Sequence, residues 1–440
     1  MNRNTFIVSL ALVALSSCKQ IPGNFDSLGI SDHYQSDKAS KINLSDLKVG
    51  SVALYSDFFS SVKYVPLEAT PNSLIGEISK LMVSKDGDYI VFSSHDKTVL
   101  RFSPEGKYLN TIGHVGHGSN EYEWPSCVAY DEFRNQVIIF DCAKCDLMFY
   151  TVDGELLNNI RMPKYISSFE VVDESHLALF LNHGGEYPHV DGLYNYVIVD
   201  REGKVSGYHA PYDEDRIDFS MLADVFSRSD GHTYCMIGET PIINEITANS
   251  LTTRYFVDFG GYCFPVELFE KTHEEYEKFS FNKPKDIARS WSFFKTGKNI
   301  FLDFSWNGDQ HHLMIAKEGS LQCSTYMCQF DNDVYGLASS LDLLYASNGN
   351  AFFLLQPHEC ENLVDQTEVN QDLMPKFVTG YKKIAKAVES QDKELSKRLW
   401  NLSERYAKRG GSLIFTPEEK AEMLRLSKNN NPIIQVCTLK

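Results

Sequence analysis

Positive charge is what this 440-residue chain is short of: 42 Lys and Arg stand against 59 Asp and Glu, a net charge of −17. No basic stripe runs along it, which excludes nucleic acid and anionic lipid headgroups as partners held by charge. Long apolar runs are scarce too. The one at the N-terminus, Phe6 to Leu15, is interrupted by Ser9 and falls well short of the roughly 20 residues a membrane helix needs. No G-x-S-x-G elbow and no phosphate-binding glycine loop occur, so two common catalytic frameworks are missing. The 10 cysteines fall at irregular spacings and give no disulfide framework.

What the N-terminus does contain reads as an address. Arg3 and the apolar run lead into Leu15-Ser16-Ser17-Cys18, which resembles the bacterial lipobox. The resemblance implies a signal peptide over residues 1–17 and lipidation of Cys18. Each buried CH₂ of an acyl chain contributes about 0.8 kcal/mol, so several chains anchor durably. Residues 18–50 are expected to form a flexible tether, because Lys19 to Lys41 is rich in Ser, Asp, Gly and Lys. The expected location is the bacterial cell envelope, lipid-anchored in the outer membrane and facing either the periplasm or the surface.

The body of the chain, residues 51–440, carries a period. Strand-like runs break at Glu105-Gly106, Asp153-Gly154 and Glu202-Gly203, whose glycines stand 48 and 49 residues apart. A fixed repeat of that length on short strands marks the blades of a β-propeller. Runs bounded by turn residues fill in the strands. Blade one takes Ile78–Ser84, Tyr89–Ser94, Val99–Phe102 and Tyr108–Ile112. Blade two takes Ser126–Asp131, Gln136–Asp141, Leu147–Tyr150 and Leu156–Arg161. Blade three takes Ser167–Val172, His176–Leu181, Tyr196–Val199 and Val205–His209. Blade four takes Met221–Phe226, Thr233–Ile237, Ile242–Thr247 and Thr252–Phe259. Blade five takes Arg289–Lys295, Asn299–Phe304, His311–Ala316 and Leu321–Phe330.

A sixth blade starts with Leu341–Ala346 and Ala351–Gln356 and then lacks two strands. The chain ends supply them: Pro432–Cys437 from the C-terminus and Val62–Leu67 from the N-terminal side. The predicted fold is therefore all-β, a six-bladed propeller of four-stranded blades sealed by both termini, with no open edge at the seam. A helical insertion is expected over about 358–430. Tyr381, Ile384, Ala385, Val388, Leu395, Leu399, Leu402 and Tyr406 recur at helical spacing and read as one long helix or two with a packed face, and Thr416-Pro417-Glu418-Glu419 starts a further helix.

At this point the chain resembles a known group. Asp57-Phe58…Val62-Lys63-Tyr64-Val65-Pro66-Leu67-Glu68, the Leu74–Ile78 run, Ile112-Gly113-His114-Val115-Gly116-His117-Gly118 and Asn431-Pro432 look like six-bladed β-propeller lipoproteins of gut Gram-negative bacteria, related to NHL-repeat propellers. The motifs are structural, and the resemblance implies a fold without implying any catalytic residue. Ser119-Asn120 stands where that group usually has Gly-Pro.

Turns between first and second strands, and between third and fourth, are tight. The long connections all join second to third or fourth to first strands: Asn182–Asn195, Gly113–Pro125, Ala210–Ser220, Gly260–Ala288 and the helical insertion. In a propeller both types emerge on one face, and long loops on a rigid scaffold are where binding resides. Tyr122, Trp124, His183, Tyr187, Tyr212, Arg216 and Trp306 are the candidate contacts, since aromatics among carboxylates suit a peptide groove or a stacked sugar.

His114, His117, Cys142 and Cys145 are weak candidates for a metal site, with zinc or calcium as the ion; otherwise no cofactor is called for. The expected function is a lipid-anchored, exported binding module for a protein, peptide or glycan, without catalytic residues. The alternative is a metal-dependent lyase or hydrolase at the channel mouth.

Overall fold

The computed structural model describes residues 40–43, 53–163, 165–182, 184–211, 225–236, 242–259, 288–306, 310–318, 323–327, 330–331, 342–361, 374–390, 393–408 and 417–440. Six four-stranded antiparallel sheets stand in a ring. Their first strands are Lys80–Val83, Pro125–Asp131, Ser168–Val171, Phe226–Ser229, Arg289–Thr296 and Leu343–Ser347. Each touches the first strand of the next blade, and the last touches the first, so these strands line a central axis.

Blade six is built as the pattern required. Leu343–Ser347 and Asn350–Leu355 are completed by Ile433–Leu439 and, on the outside, by Phe59–Pro66. Ile434 pairs with Val65, and Val436 with Lys63, in an antiparallel ladder. Asn431 secures the seam: its buried amide donates to the Glu68 and Ser73 carbonyls at 3.0 and 2.6 Å and accepts from the Ile75 N–H at 2.9 Å.

The apolar core lies between blades. One cluster joins Ile90, Phe92 and Val99 of blade one to Ile139 and Tyr150 of blade two. Others join blades two and three, five and six, and six and one. Middle strands are buried on both faces, as Tyr89–Ser93 is throughout, whereas the outermost strand Leu156–Arg161 is largely exposed. At about 1.5–3 kcal/mol per fully buried large apolar side chain, these layers carry the ring.

The periodic glycines have a tertiary reason. Gly154 has φ +95°, and a Cβ there would sit 2.6 Å from the carbonyl oxygen of Thr111 on blade one. Gly106 likewise abuts the Pro66 carbonyl of blade six, and Gly203 abuts Ile160 of blade two. Each acidic-Gly turn thus tucks under the outer strand of the preceding blade, where only glycine avoids both strain and collision.

Two expectations need correction. The first strand of blade four is Phe226–Ser229, and residues 221–224 of the expected Met221–Phe226 lie outside the described residues. The expected tether is not free throughout: Ser40–Asn43 forms a parallel fifth strand on Leu251–Asp258, burying Ile42 in the blade-four core and pairing part of an otherwise open edge. Among the described residues, the insertion, expected to hold one long helix or two ahead of a further one, contains the helices Met374–Val388, Lys393–Lys408 and Pro417–Ser427, with a short helical stretch at 357–361 before them. Tyr381, Ala385 and Leu399 are buried in it, but Ile384 is exposed. The last helix packs Met423 and Leu426 against Tyr64 and Ile433 of blade six.

Candidate functional site

On the loop-rich face, Asp141 is the organiser. Its carboxylate is fully buried at the end of a blade-two strand. It accepts the backbone N–H groups of Glu123, Trp124 and Ala143 at 2.8, 3.0 and 3.1 Å. The Cys142 N–H donates to the Trp124 carbonyl at 2.9 Å, and Lys144 Nζ caps the Glu121 carbonyl at 2.7 Å. One carboxylate therefore binds the Gly113–Pro125 loop to the turn after Asp141. Charge-assisted bonds of this kind are stronger than neutral ones.

The clamp presents Trp124. Its side chain is 52% exposed, and Lys97 of blade one lies over the ring with Nζ 3.3 Å from the centroid. Three other apolar side chains stand open on loops of this face: Leu74, Val115 and Tyr165, the last with its ring edge against Phe140.

The other candidates divide. Tyr122 is fully buried beneath its own loop, edge-on to Tyr150, with its hydroxyl donating to the Ile112 carbonyl. Burial pushes its phenol above the ordinary tyrosine range. Tyr187 is buried between blades two and three, and burial pushes its phenol up to about 12. Both rings are buried and seat their loops, because a phenyl ring next to a sheet finds more apolar contact inward than outward. His183, Tyr212 and Arg216, like Cys18, lie outside the described residues, as does the side chain of Trp306 on the strand Asn299–Trp306.

The histidines and cysteines do not assemble. His117 is almost fully exposed, with Nδ1 3.3 Å from Glu123 Oε1, and His114 is exposed nearby. Cys145 Sγ donates to the Cys142 carbonyl at 3.7 Å, and both cysteines are free. Burial, with the Asp141 charge adding to it, pushes the Cys142 thiol up. Among the described residues, no three His, Cys, Asp or Glu side chains converge as a metal ligand set.

A second constellation lies on the axis and has no counterpart among the sequence candidates. The first strands enclose a cavity of about 450 Å³ with charged groups on its walls. Lys80 of blade one reaches Glu170 of blade three, Nζ to Oε2 3.3 Å. Arg228 of blade four donates NH1 to the Val171 and Val172 carbonyls at 3.0 and 3.1 Å and NH2 to Glu132 of blade two at 2.5 Å. Tyr345 of blade six borders the same space, and burial pushes its phenol up to about 12. The available signal was a lone charge inside a short first strand: Lys80 beside Leu81, Glu170 beside Phe169, and Arg228 between two serines.

Likeness to known proteins follows the fold. Residues 39–404 match the family model of a domain of unknown function, DUF4934, and the chain belongs to that family. No curated protein matches it. The crystal structure of a candidate exported protein from Bacteroides fragilis NCTC 9343 is similar with a TM-score of 0.63 at 13% identity, covering 91% of this chain and 100% of that one. A member of the DUF4221 family from Bacteroides vulgatus aligns with a TM-score of 0.43 at 9% identity, over 61% of this chain and 86% of that one. A virginiamycin B lyase from Staphylococcus aureus aligns at 0.36 and 10% identity, over 67% and 81%. At these identities the first likeness speaks to the fold alone.

Proposed function

We propose that this member of the DUF4934 family is an exported, lipid-anchored binding module that captures a protein or peptide on its loop-rich face. The observation that carries the reading is Trp124: its backbone N–H is held by a fully buried carboxylate, and its exposed indole is faced by Lys97. Large aromatic side chains left open on a rigid frame are the anchors of protein interfaces. Leu74, Val115 and Tyr165 add apolar area on the same face. With Lys97 already over one face of the indole, that face is taken from a sugar ring, which favours a peptide over a glycan.

The export and anchoring part rests on the lipobox at Leu15–Cys18. The exported assignment of the Bacteroides fragilis neighbour agrees with export. Among the described residues, no helix is long and apolar enough to cross a membrane.

The test is selection of peptides from a displayed library on the full chain purified in detergent, followed by affinity measurement on Trp124→Ala and Tyr165→Ala. Selected peptides should bind the variants at least tenfold more weakly while the proteins keep their thermal unfolding midpoints. Peptide binding indifferent to both changes, or signal confined to a glycan array, would overturn the assignment. Incorporation of a labelled fatty acid into the wild type, lost in Cys18→Ala, tests the anchor. Metal analysis of the purified chain, with His114→Ala and His117→Ala as comparisons, tests the metal-dependent alternative.

A further inference from the structure

The axial cavity is independent of the loop-rich face and has its own chemistry. Its volume of about 450 Å³ falls within the range of small-molecule sites, roughly 300–1,000 Å³. The charges on its walls balance: Lys80, Lys85 and Arg228 against Glu132, Glu170 and Asp230. Four of them form opposed pairs, Lys80 with Glu170 at 3.3 Å and Arg228 with Glu132 at 2.5 Å. Such walls discriminate. A plain anion attracted by Lys80 meets Glu170 beside it, and a plain cation meets the reverse. Only a molecule carrying both charges a short way apart satisfies both partners as it enters the pair.

The two cations differ in exposure, Lys80 being more open than Arg228. Arg228 is committed, since NH1 is spent on two backbone carbonyls and on Thr233 Oγ1 at 2.8 Å. Lys80 Nζ sits at the end of a flexible stem, partly exposed to the cavity. Around it the walls turn apolar: Phe226, Phe294, Leu343 and Tyr345 border the same space. The polar pair and the apolar wall together describe a charged head and a hydrophobic tail.

We propose that this cavity is a binding site for a free α-amino acid with an apolar side chain. The carboxylate lies against the Lys80 ammonium, the amino group against the Glu170 carboxylate, and the side chain along the aromatic and leucine wall. No bond is made or broken; the site is one of recognition.

The experiment is isothermal titration of the full chain in detergent with L-leucine, and in parallel with 4-methylpentanoate, 3-methylbutylamine and L-glutamate. L-leucine should bind one equivalent, at least tenfold more tightly than either analogue that carries a single charge, and more tightly than L-glutamate. Lys80→Met and Glu170→Gln should each weaken L-leucine at least tenfold, while Trp124→Ala leaves it unchanged. Absence of heat with L-leucine, equal affinity for the singly charged analogues, or preference for L-glutamate would overturn the proposal. So would unchanged binding by a folded Lys80→Met or Glu170→Gln. Should both variants fail to fold, the ligand series on the wild type still decides. Because Trp124 stands outside the cavity, loss of peptide capture and loss of L-leucine binding report on different readings.

Discussion

Lys80 and Glu170 meet across the propeller axis, Nζ to Oε2 3.3 Å, although they stand 90 residues apart and blade two lies between their blades. Glu170 is buried and also accepts the Val171 N–H at 2.9 Å, while Lys80 is partly exposed. Removing the lysine takes this counter-charge from a buried carboxylate, whereas removing the carboxylate leaves a lysine that can turn to water. Lys80→Met should therefore lower stability by about 3 kcal/mol, and Glu170→Gln by less. Urea unfolding of the two single variants and the double variant measures this, and a double variant more stable than Lys80→Met is the expected signature.

Asn431 makes three hydrogen bonds to the Glu68–Ile75 segment from a fully buried position. Truncation to alanine orphans one N–H and leaves two carbonyls short of a donor. At about 1–3 kcal/mol for each unsatisfied buried group, Asn431→Ala should cost roughly 3 kcal/mol or more. Limited proteolysis should then cut first near the seam between blades six and one, and protection there equal to wild type would count against Asn431 as its fastener.

Two glycines separate strain from collision. Gly231 has φ +80° and open space within 4 Å of where a Cβ would stand, while Gly154 has φ +95° and the Thr111 carbonyl at 2.6 Å. Gly231→Ala should cost about 1 kcal/mol, the left-handed penalty alone. Gly154→Ala must also displace a backbone strand of blade one and should cost about 3 kcal/mol in total. Equal thermal unfolding midpoints for the two variants would refute the inter-blade contact as the reason for the repeat.

Acid should loosen blade four. Burial by itself would raise the Glu245 carboxyl, but bonds from His232 and Arg254 outweigh it and hold the group below its usual value. A carboxyl depressed in the folded state contributes stability that is fully present above its unfolded pKa, about 4.3, and is lost as pH falls from there through the folded value. Asp173, held down by the Ser175 N–H and by His176 against burial, adds in the same direction. Chemical unfolding between pH 6 and 3 should show wild-type stability falling below about pH 4.3, with a shallower fall in Glu245→Gln.

Trp124→Ala should be close to neutral for the fold. The clamp acts through the backbone N–H and carbonyl of residue 124, which alanine retains, and the half-exposed ring forfeits little burial. A change within about 0.5 kcal/mol is expected. Asp141→Ala, by contrast, strips the loop of its carboxylate and should lose about 3 kcal/mol. Circular dichroism melts of both variants check the contrast.

Much of this protein is readable along the chain, and the readable part is local. The acidic-Gly turns, the alternating runs between them and the isolated strands at Pro432–Cys437 and Val62–Leu67 specify six blades and their closure, because hairpins are set by neighbours in sequence. The sorting of tight turns from long loops follows from the same arithmetic, and of the residues it picks out, Trp124 is exposed. It does not tell Trp124 from the buried Tyr122 and Tyr187, since whether a loop tyrosine turns out or in depends on the space beneath it. Here that space is beside Tyr150 in one case and the layer between blades two and three in the other.

What only the tertiary structure decided is which distant residues share a space. Lys80, Glu132, Glu170 and Arg228 stand on or beside four different first strands, and no local pattern couples them. They meet because ring closure turns every first strand toward one axis, where the buried Glu170 and Arg228 need partners. Burial of Ile42, in a stretch whose composition reads as tether, has the same origin: an open strand edge on blade four was waiting for it. Composition described that segment, and the sheet recruited part of it.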